Sequence, residues 1–129
     1  NDGEIKRLYE QAVTSVVAKK DHNLKEALAA QINNSQFLIL NLTCPISYRR
    51  VNLPCRFKTC QHLEVFDLFT YLNRAQVDKN YNCPVCNNIQ SSEDFLNDLR
   101  LDYTIFEFLR EQPYSVIEGL VRPLYGSIQ

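Results

Sequence analysis

The chain has no Trp and no Met, so its aromatic content is carried by 7 Tyr and 7 Phe. It also lacks an excess of either charge: the formal net charge is -1 over 129 residues. A near-neutral chain gives no electrostatic reason to expect nucleic acid as its main partner. Long apolar runs are missing too. The longest, Phe37-Leu38-Ile39-Leu40, falls far short of the roughly 20 residues of a membrane span and suits a buried strand. No charged-then-apolar stretch of the signal-peptide kind opens the sequence. The cysteines number five, which rules out complete disulfide pairing within the chain. Without secretory signals a reducing compartment is expected, where clustered cysteines lean toward metal.

What is present suits one ordinary globular domain: 45% hydrophobic and 22% charged residues. Ile5, Leu8, Tyr9, Ala12, Val13, Val16 and Val17 recur at helical spacing and predict an amphipathic helix near 4–18. Asn23-Leu24-Lys25-Glu26 has the form of a capping box, opening a second helix to about residue 34. Residues 37–42 read as a strand, with a further short strand around 50–53. Val65, Phe66, Leu68, Phe69 and Leu72 suggest a helix over about 65–75. Ser91 or Ser92 can cap a short turn, and Asp102 can cap a helix near 103–111. After Pro113 no period persists, and the tail is expected to be extended or packed on the surface.

The chemistry concentrates in two close pairs, Cys60-x-His62 and Cys83-x-x-Cys86. Three thiols and one imidazole are the donor set of a tetrahedral zinc, and each pair can wrap one side of the metal through a tight turn. Four protein ligands close the coordination sphere, which makes such a site structural and not hydrolytic. Three other readings compete. One takes the residues as unrelated core thiols and a core histidine, a reading that the paired spacing weakens. A nucleophilic Cys60 beside His62 leaves the second pair unexplained. Redox chemistry at Cys83-x-x-Cys86 lacks a surrounding βαβ pattern.

The flanks add identity. Cys44-Pro45-Ile46-Ser47, the Leu53-Pro54 turn, Cys60-x-His62-Leu63, Phe66-Asp67 and Cys83-Pro84-Val85-Cys86 occur in order. Over about residues 37–110 the chain closely resembles the SP-RING (MIZ-type) zinc finger of the Siz/PIAS family of SUMO ligases. The resemblance implies an α+β fold: a small RING-like domain with a single structural zinc, preceded by two amphipathic helices. The implied division is a helical extension over 1–36, the zinc domain over 37–112 and a tail over 113–129. The matching zinc ligands are Cys60, His62, Cys83 and Cys86. A second RING metal site would draw on positions near Cys44, Ser47, Val65 and Leu68, which cannot hold zinc, so packing and hydrogen bonds should replace it. Cys44 and Cys55 are then non-ligands, Cys44 a small buried residue. Two departures stand out: Val65 where the family usually has Cys, and Tyr81 where it usually has Trp.

The resemblance further implies a SUMO-protein ligase, a RING-type transferase with no covalent intermediate of its own. It would bind the SUMO-conjugating enzyme charged with SUMO and promote transfer to a lysine of a protein substrate by positioning. The docking groove would involve Ile46, Pro84 and Val85, with Tyr71, Leu72 and Tyr81 nearby; for Leu72 core packing is at least as good a reading. Arg49 and Arg50 could face an acidic partner, though paired arginines are more often a solvated face. Residues 116–121 carry the apolar pattern of a SUMO-binding strand. The N-terminal helices are an extension of the zinc domain, the end of a preceding domain, or a docking surface for a protein partner. A nuclear location follows from the resemblance. The rival is a non-catalytic RING-like scaffold in a nuclear complex, which Val65, Tyr81 and the helical extension motivate. A ubiquitin ligase ranks third, and direct DNA binding is least favoured because no basic recognition helix follows the ligands.

Overall fold

The computed structural model describes residues 2–21, 38–112, 118–122 and 127–128. Helix α1 spans Asp2–Ala18, close to its expected range. The expected second helix, with its Asn23–Glu26 capping box, lies outside the described residues. Strands β1 (Lys20–Asp21), β2 (Leu38–Asn41), β3 (Pro54–Phe57) and β4 (Phe66–Asp67) follow. Then come α2 (Leu68–Asp78), the short α3 (Phe95–Asp98), β5 (Leu99–Asp102), α4 (Tyr103–Glu111), β6 (Glu118–Arg122) and β7 (Ser127–Ile128). They form a four-stranded sheet in the order β1-β5-β3-β4 and a three-stranded sheet in the order β2-β6-β7. Among the described residues, no helix is long and apolar enough to cross a membrane.

Local chemistry explains where the elements begin. The Asp67 carboxylate accepts from the Thr70 N–H at 3.1 Å, which makes Asp67 the N-cap and starts α2 at Leu68. Val65 and Phe66, expected in the first helical turn, instead lead into β4 and are buried. The strand expected at 50–53 sits later, at Pro54–Phe57; proline is tolerated at its first residue because no earlier ladder bond is lost. In backbone pairing Arg50 forms an isolated bridge with Thr43. At α4 the Asp102 side chain accepts from Ile105 N–H at 3.0 Å, as the sequence suggests. The tail, expected to be extended or packed on the surface, contributes β6 and β7, with β6 paired antiparallel to β2.

The core is aromatic where tryptophan is missing. Phe57, Phe66, Tyr71 and Phe95 form a chain of rings with centroids 5.1–5.9 Å apart. Leu42, Cys44, Cys55, Leu68, Leu72, Leu99 and Leu101 close around them, all fully or almost fully buried. From α1, Ala12 and Val16 enter this core, and the Tyr9 ring meets Phe69 of α2 edge-on at 5.2 Å. Among the described residues four charged side chains are also buried: Arg50, Arg56, Asp67 and Asp102. Arg56 pairs with Asp102 and donates to the Leu63 carbonyl at 3.0 Å, so the loop of the first Cys/His pair is tied to the start of α4.

The positions of the expected missing metal site are filled as anticipated. Val65 and Leu68 are buried, and the Cys44 Sγ accepts from the Asp67 N–H at 3.4 Å. Asp67 Oδ1 accepts from the Asn52 and Leu53 N–H groups at 2.9 and 3.2 Å, while Oδ2 also takes the Thr70 hydroxyl. Replacing Asp67 by Ala removes a helix cap and leaves two loop N–H groups without their acceptor. We expect a loss of roughly 2 kcal/mol or more, read as a lower urea midpoint of the zinc-loaded chain with an unchanged slope. An unchanged midpoint would mean that these bonds do not hold the loop.

Candidate metal centre

Cys60 follows β3 through a turn in which its N–H donates to the Phe57 carbonyl at 3.0 Å. Cys83 opens a tighter turn, with Asn87 N–H on the Cys83 carbonyl and Cys83 N–H on the Asn88 carbonyl, both at 3.0 Å. Asn87 closes it at φ 62°, a left-handed conformation that asparagine tolerates better than most residues. A polar network joins the two loops: Asn88 donates to the Thr59 hydroxyl, which donates to Asp98 at 2.8 Å, and Gln90 reaches the same carboxylate at 2.8 Å.

These turns bring Cys60, His62, Cys83 and Cys86 together, with one ligand atom from each lying within 4.8 Å of the others. The Cys60 sulfur is 3.6 Å from those of Cys83 and Cys86, and the His62 Nε2 is 3.4 Å from Cys83 Sγ. A zinc–sulfur bond of about 2.3 Å implies sulfur–sulfur edges of ~3.8 Å in a regular tetrahedron. The observed edges therefore fit that geometry. His62 Nδ1 lies 2.8 Å from the Glu64 carbonyl, which can only accept, so Nδ1 carries the proton and Nε2 turns its lone pair to the cluster.

The protonation of the cluster also suits a cation. The hydrogen bond from Cys60, with further help from the His62 ring and the N–H groups of Cys86 and Val85, outweighs burial and pulls Cys83 down to about 4. The same bridge to Cys83, with burial, pushes Cys60 up. Sulfurs this close hold negative charge only by sharing protons, and a divalent metal would replace those protons. Cys55, by contrast, is wholly enclosed in β3, and burial raises its thiol well above the ordinary value, as befits an inert core residue. The cluster is compatible with one zinc ion.

The residues expected to flank a docking groove divide. Pro84 and Val85 are half-buried between Cys83 and Cys86, and Ile46 is half-buried on the separate loop that follows Cys44. Tyr71 is corrected: it is fully buried, its ring lies between Phe57, Phe66 and Phe95, and its hydroxyl donates to the Tyr81 carbonyl at 2.6 Å. Leu72 is likewise core. Tyr81 is half-buried on Phe95, with centroids 4.8 Å apart, and its hydroxyl receives Gln76 Nε2 at 2.7 Å. Arg50 also departs from a partner role: it is buried and donates to the Leu109 and Gln112 carbonyls at the end of α4. Glu118, Leu120 and Val121 of the suggested SUMO-binding strand lie in β6, where all three pair with β2 and Val121 also pairs with β7; residues 116 and 117 lie outside the described residues. Tyr48, which no sequence signal marks, stands 81% exposed beside the groove.

Residues 40–89 match the family model of the MIZ/SP-RING zinc finger. The chain is 35% identical over 81 residues to the E3 SUMO-protein ligase PIAS4-A of Danio rerio, covering 63% of this chain and 15% of that protein. It is 34% identical over 79 residues to zinc finger MIZ domain-containing protein 1 of Homo sapiens, covering 61% and 7%. The chain thus spans a small part of the curated relatives it matches. Among solved structures, the S. cerevisiae SUMO E3 ligases SIZ2 and SIZ1 superpose with a TM-score of 0.81 each, at 18% and 24% identity. Each alignment covers 94% of this chain, and 46% and 43% of the respective structure. That likeness establishes the RING-like α+β fold.

The purified chain should carry one zinc by elemental analysis, and His62→Ala should lower both zinc content and melting temperature, since a structural zinc contributes folding energy directly. Full zinc occupancy in the variant, or two zincs in the parent chain, would overturn this ligand set.

Proposed function

We propose that this chain, which carries a MIZ/SP-RING zinc finger over residues 40–89, is a SUMO ligase module. On this reading Cys60, His62, Cys83 and Cys86 hold one zinc, which fills a closed site and serves structure alone. The protein surface is then the working part. Ile46, Pro84 and Val85 receive the SUMO-conjugating enzyme, with Tyr81 supporting the second loop from behind. The observation that carries the reading is the placement of these half-buried apolar residues on two loops that the fold holds in place. One loop is fixed by the Cys/His cluster, the other by the Asp67 and Cys44 hydrogen bonds.

Such a surface acts by positioning. It holds the charged conjugating enzyme so that a substrate lysine can reach the thioester, and contributes no nucleophile of its own. The partners on this reading are the conjugating enzyme, SUMO and protein substrates, and the place of action is the nucleus, as the family resemblance implies. The chain divides into a helical extension over 1–36, the zinc domain over 37–112 and a tail over 113–129. Packing of Ala12, Val16 and Tyr9 on the zinc domain supports treating α1 as part of the working module.

Single-turnover discharge of SUMO from its preloaded conjugating enzyme tests the proposal. The zinc-loaded chain should accelerate discharge, and Ile46→Ala should weaken the conjugating enzyme's binding by roughly tenfold while preserving the fold. A folded, zinc-loaded chain that binds the conjugating enzyme but leaves discharge unchanged would favour the scaffold reading.

A further inference from the structure

Tyr48 is held in a conformation that costs energy and buries nothing. Its φ is 59°, in the left-handed region, and its side chain is 81% exposed. A residue with a Cβ is disfavoured there. The turn around it is closed from several sides. Tyr48 N–H donates to the Cys44 carbonyl at 2.8 Å, Cys44 N–H to the Arg49 carbonyl at 2.7 Å, and Arg49 N–H to the Ser47 hydroxyl at 3.3 Å. The Cys44 sulfur beneath is fixed in turn by Asp67 N–H. The backbone that carries the ring is therefore held in place while the ring faces solvent, and an outlier of this kind points to a use outside the fold.

The ring borders a cavity of about 290 Å³ that Pro45, Cys44 and Val85 line with apolar surface. Asn41 and Thr43 complete its polar side, and Glu64 is the one charged residue in its lining. The Glu64 side chain is 59% exposed; its backbone carbonyl lies 2.8 Å from His62 Nδ1, and its carboxylate lies 3.8 Å from the same nitrogen with its other side open to solvent. An apolar floor, an aromatic rim and a single carboxylate match one chemistry: a long aliphatic stem ending in a cation.

We infer that Tyr48, Glu64, Pro45 and Val85 form a slot for a lysine or arginine side chain of the conjugating enzyme. The stem lies on Pro45 and Val85, and the cation sits between the Tyr48 ring and the Glu64 carboxylate. The slot extends the Ile46 surface and orients the partner on it. This rests on the function proposed above.

The test measures affinity of the uncharged SUMO-conjugating enzyme for the zinc-loaded full chain by calorimetry, in low and high salt. Tyr48→Asn should weaken binding roughly tenfold while its melting temperature stays level or rises, because asparagine tolerates the left-handed turn. Glu64→Gln should weaken binding several-fold in low salt, with the difference shrinking in high salt. Glu64→Lys should nearly abolish it and be rescued by one lysine- or arginine-to-glutamate change on the conjugating enzyme. Zinc content should stay at one in every variant, since none removes a ligand or the Glu64 carbonyl. If Ile46→Ala weakens binding but the Tyr48 and Glu64 variants bind like the parent chain, the slot is refuted and the ligase reading survives. If the parent chain does not bind the conjugating enzyme, both fall. Weakening by Tyr48→Asn without any effect of Glu64→Gln or Glu64→Lys would refute the cationic occupant.

Discussion

The carboxylate of Asp67 is the constraint on which the rest of this structure depends. It accepts from Asn52, Leu53 and both donors of Thr70, while its own N–H reaches the Cys44 sulfur. A buried carboxylate is costly unless its lone pairs are met, and here two oxygens meet four donors. The bonds start α2, fix the loop that leads into β3 and anchor the turn that carries Ile46 and Tyr48. In a two-metal RING a cation would hold this end of the domain. Here the sign of the central charge is reversed: an anion gathers N–H groups where a metal would gather thiolates.

The opposite end uses different means. Four soft donors converge through two tight turns, and the Arg56–Asp102 pair ties the first turn to α4 by way of the Leu63 carbonyl. A buried ion pair adds little net stability once desolvation is counted. Its value here lies in geometry, because Arg56 bonds two chain segments and Asp102 also caps a helix. Two different supports thus hold the two ends of the domain. One is a Cys/His cluster compatible with a zinc ion; the other is a hydrogen-bonded hub around a carboxylate.

Much of this was legible in the sequence, for physical reasons that differ by element. The two Cys/His pairs stood out because ligand chemistry demands specific side chains at short spacing, and the structure brings those side chains together. Helix α4 was legible because Asp102 precedes an apolar period with no competing signal. The start of α2 was misplaced because Val65 and Phe66 suit a helix and a strand equally; Asp67 decides between them, through bonds to distant Asn52 and Leu53. Strands β1 and β5 escaped notice because pairing across some eighty residues leaves no local pattern. Tyr71 was read as a groove residue because burial depends on packing, not on the family pattern. The backbone strain at Tyr48 was illegible because sequence carries no direct record of φ.

The parallel pairing of Lys20 and Asp21 with Leu101 and Asp102 places β1 on the outer edge of the sheet that carries β5 and β3. That short strand covers a row of backbone donors and acceptors which would otherwise face outward. A fragment trimmed to begin after residue 21 would bare this row on β5, and an uncovered edge is a template for pairing with another chain. Two residues at the end of a helix therefore work as a guard against self-association, a role unrelated to zinc or to any partner.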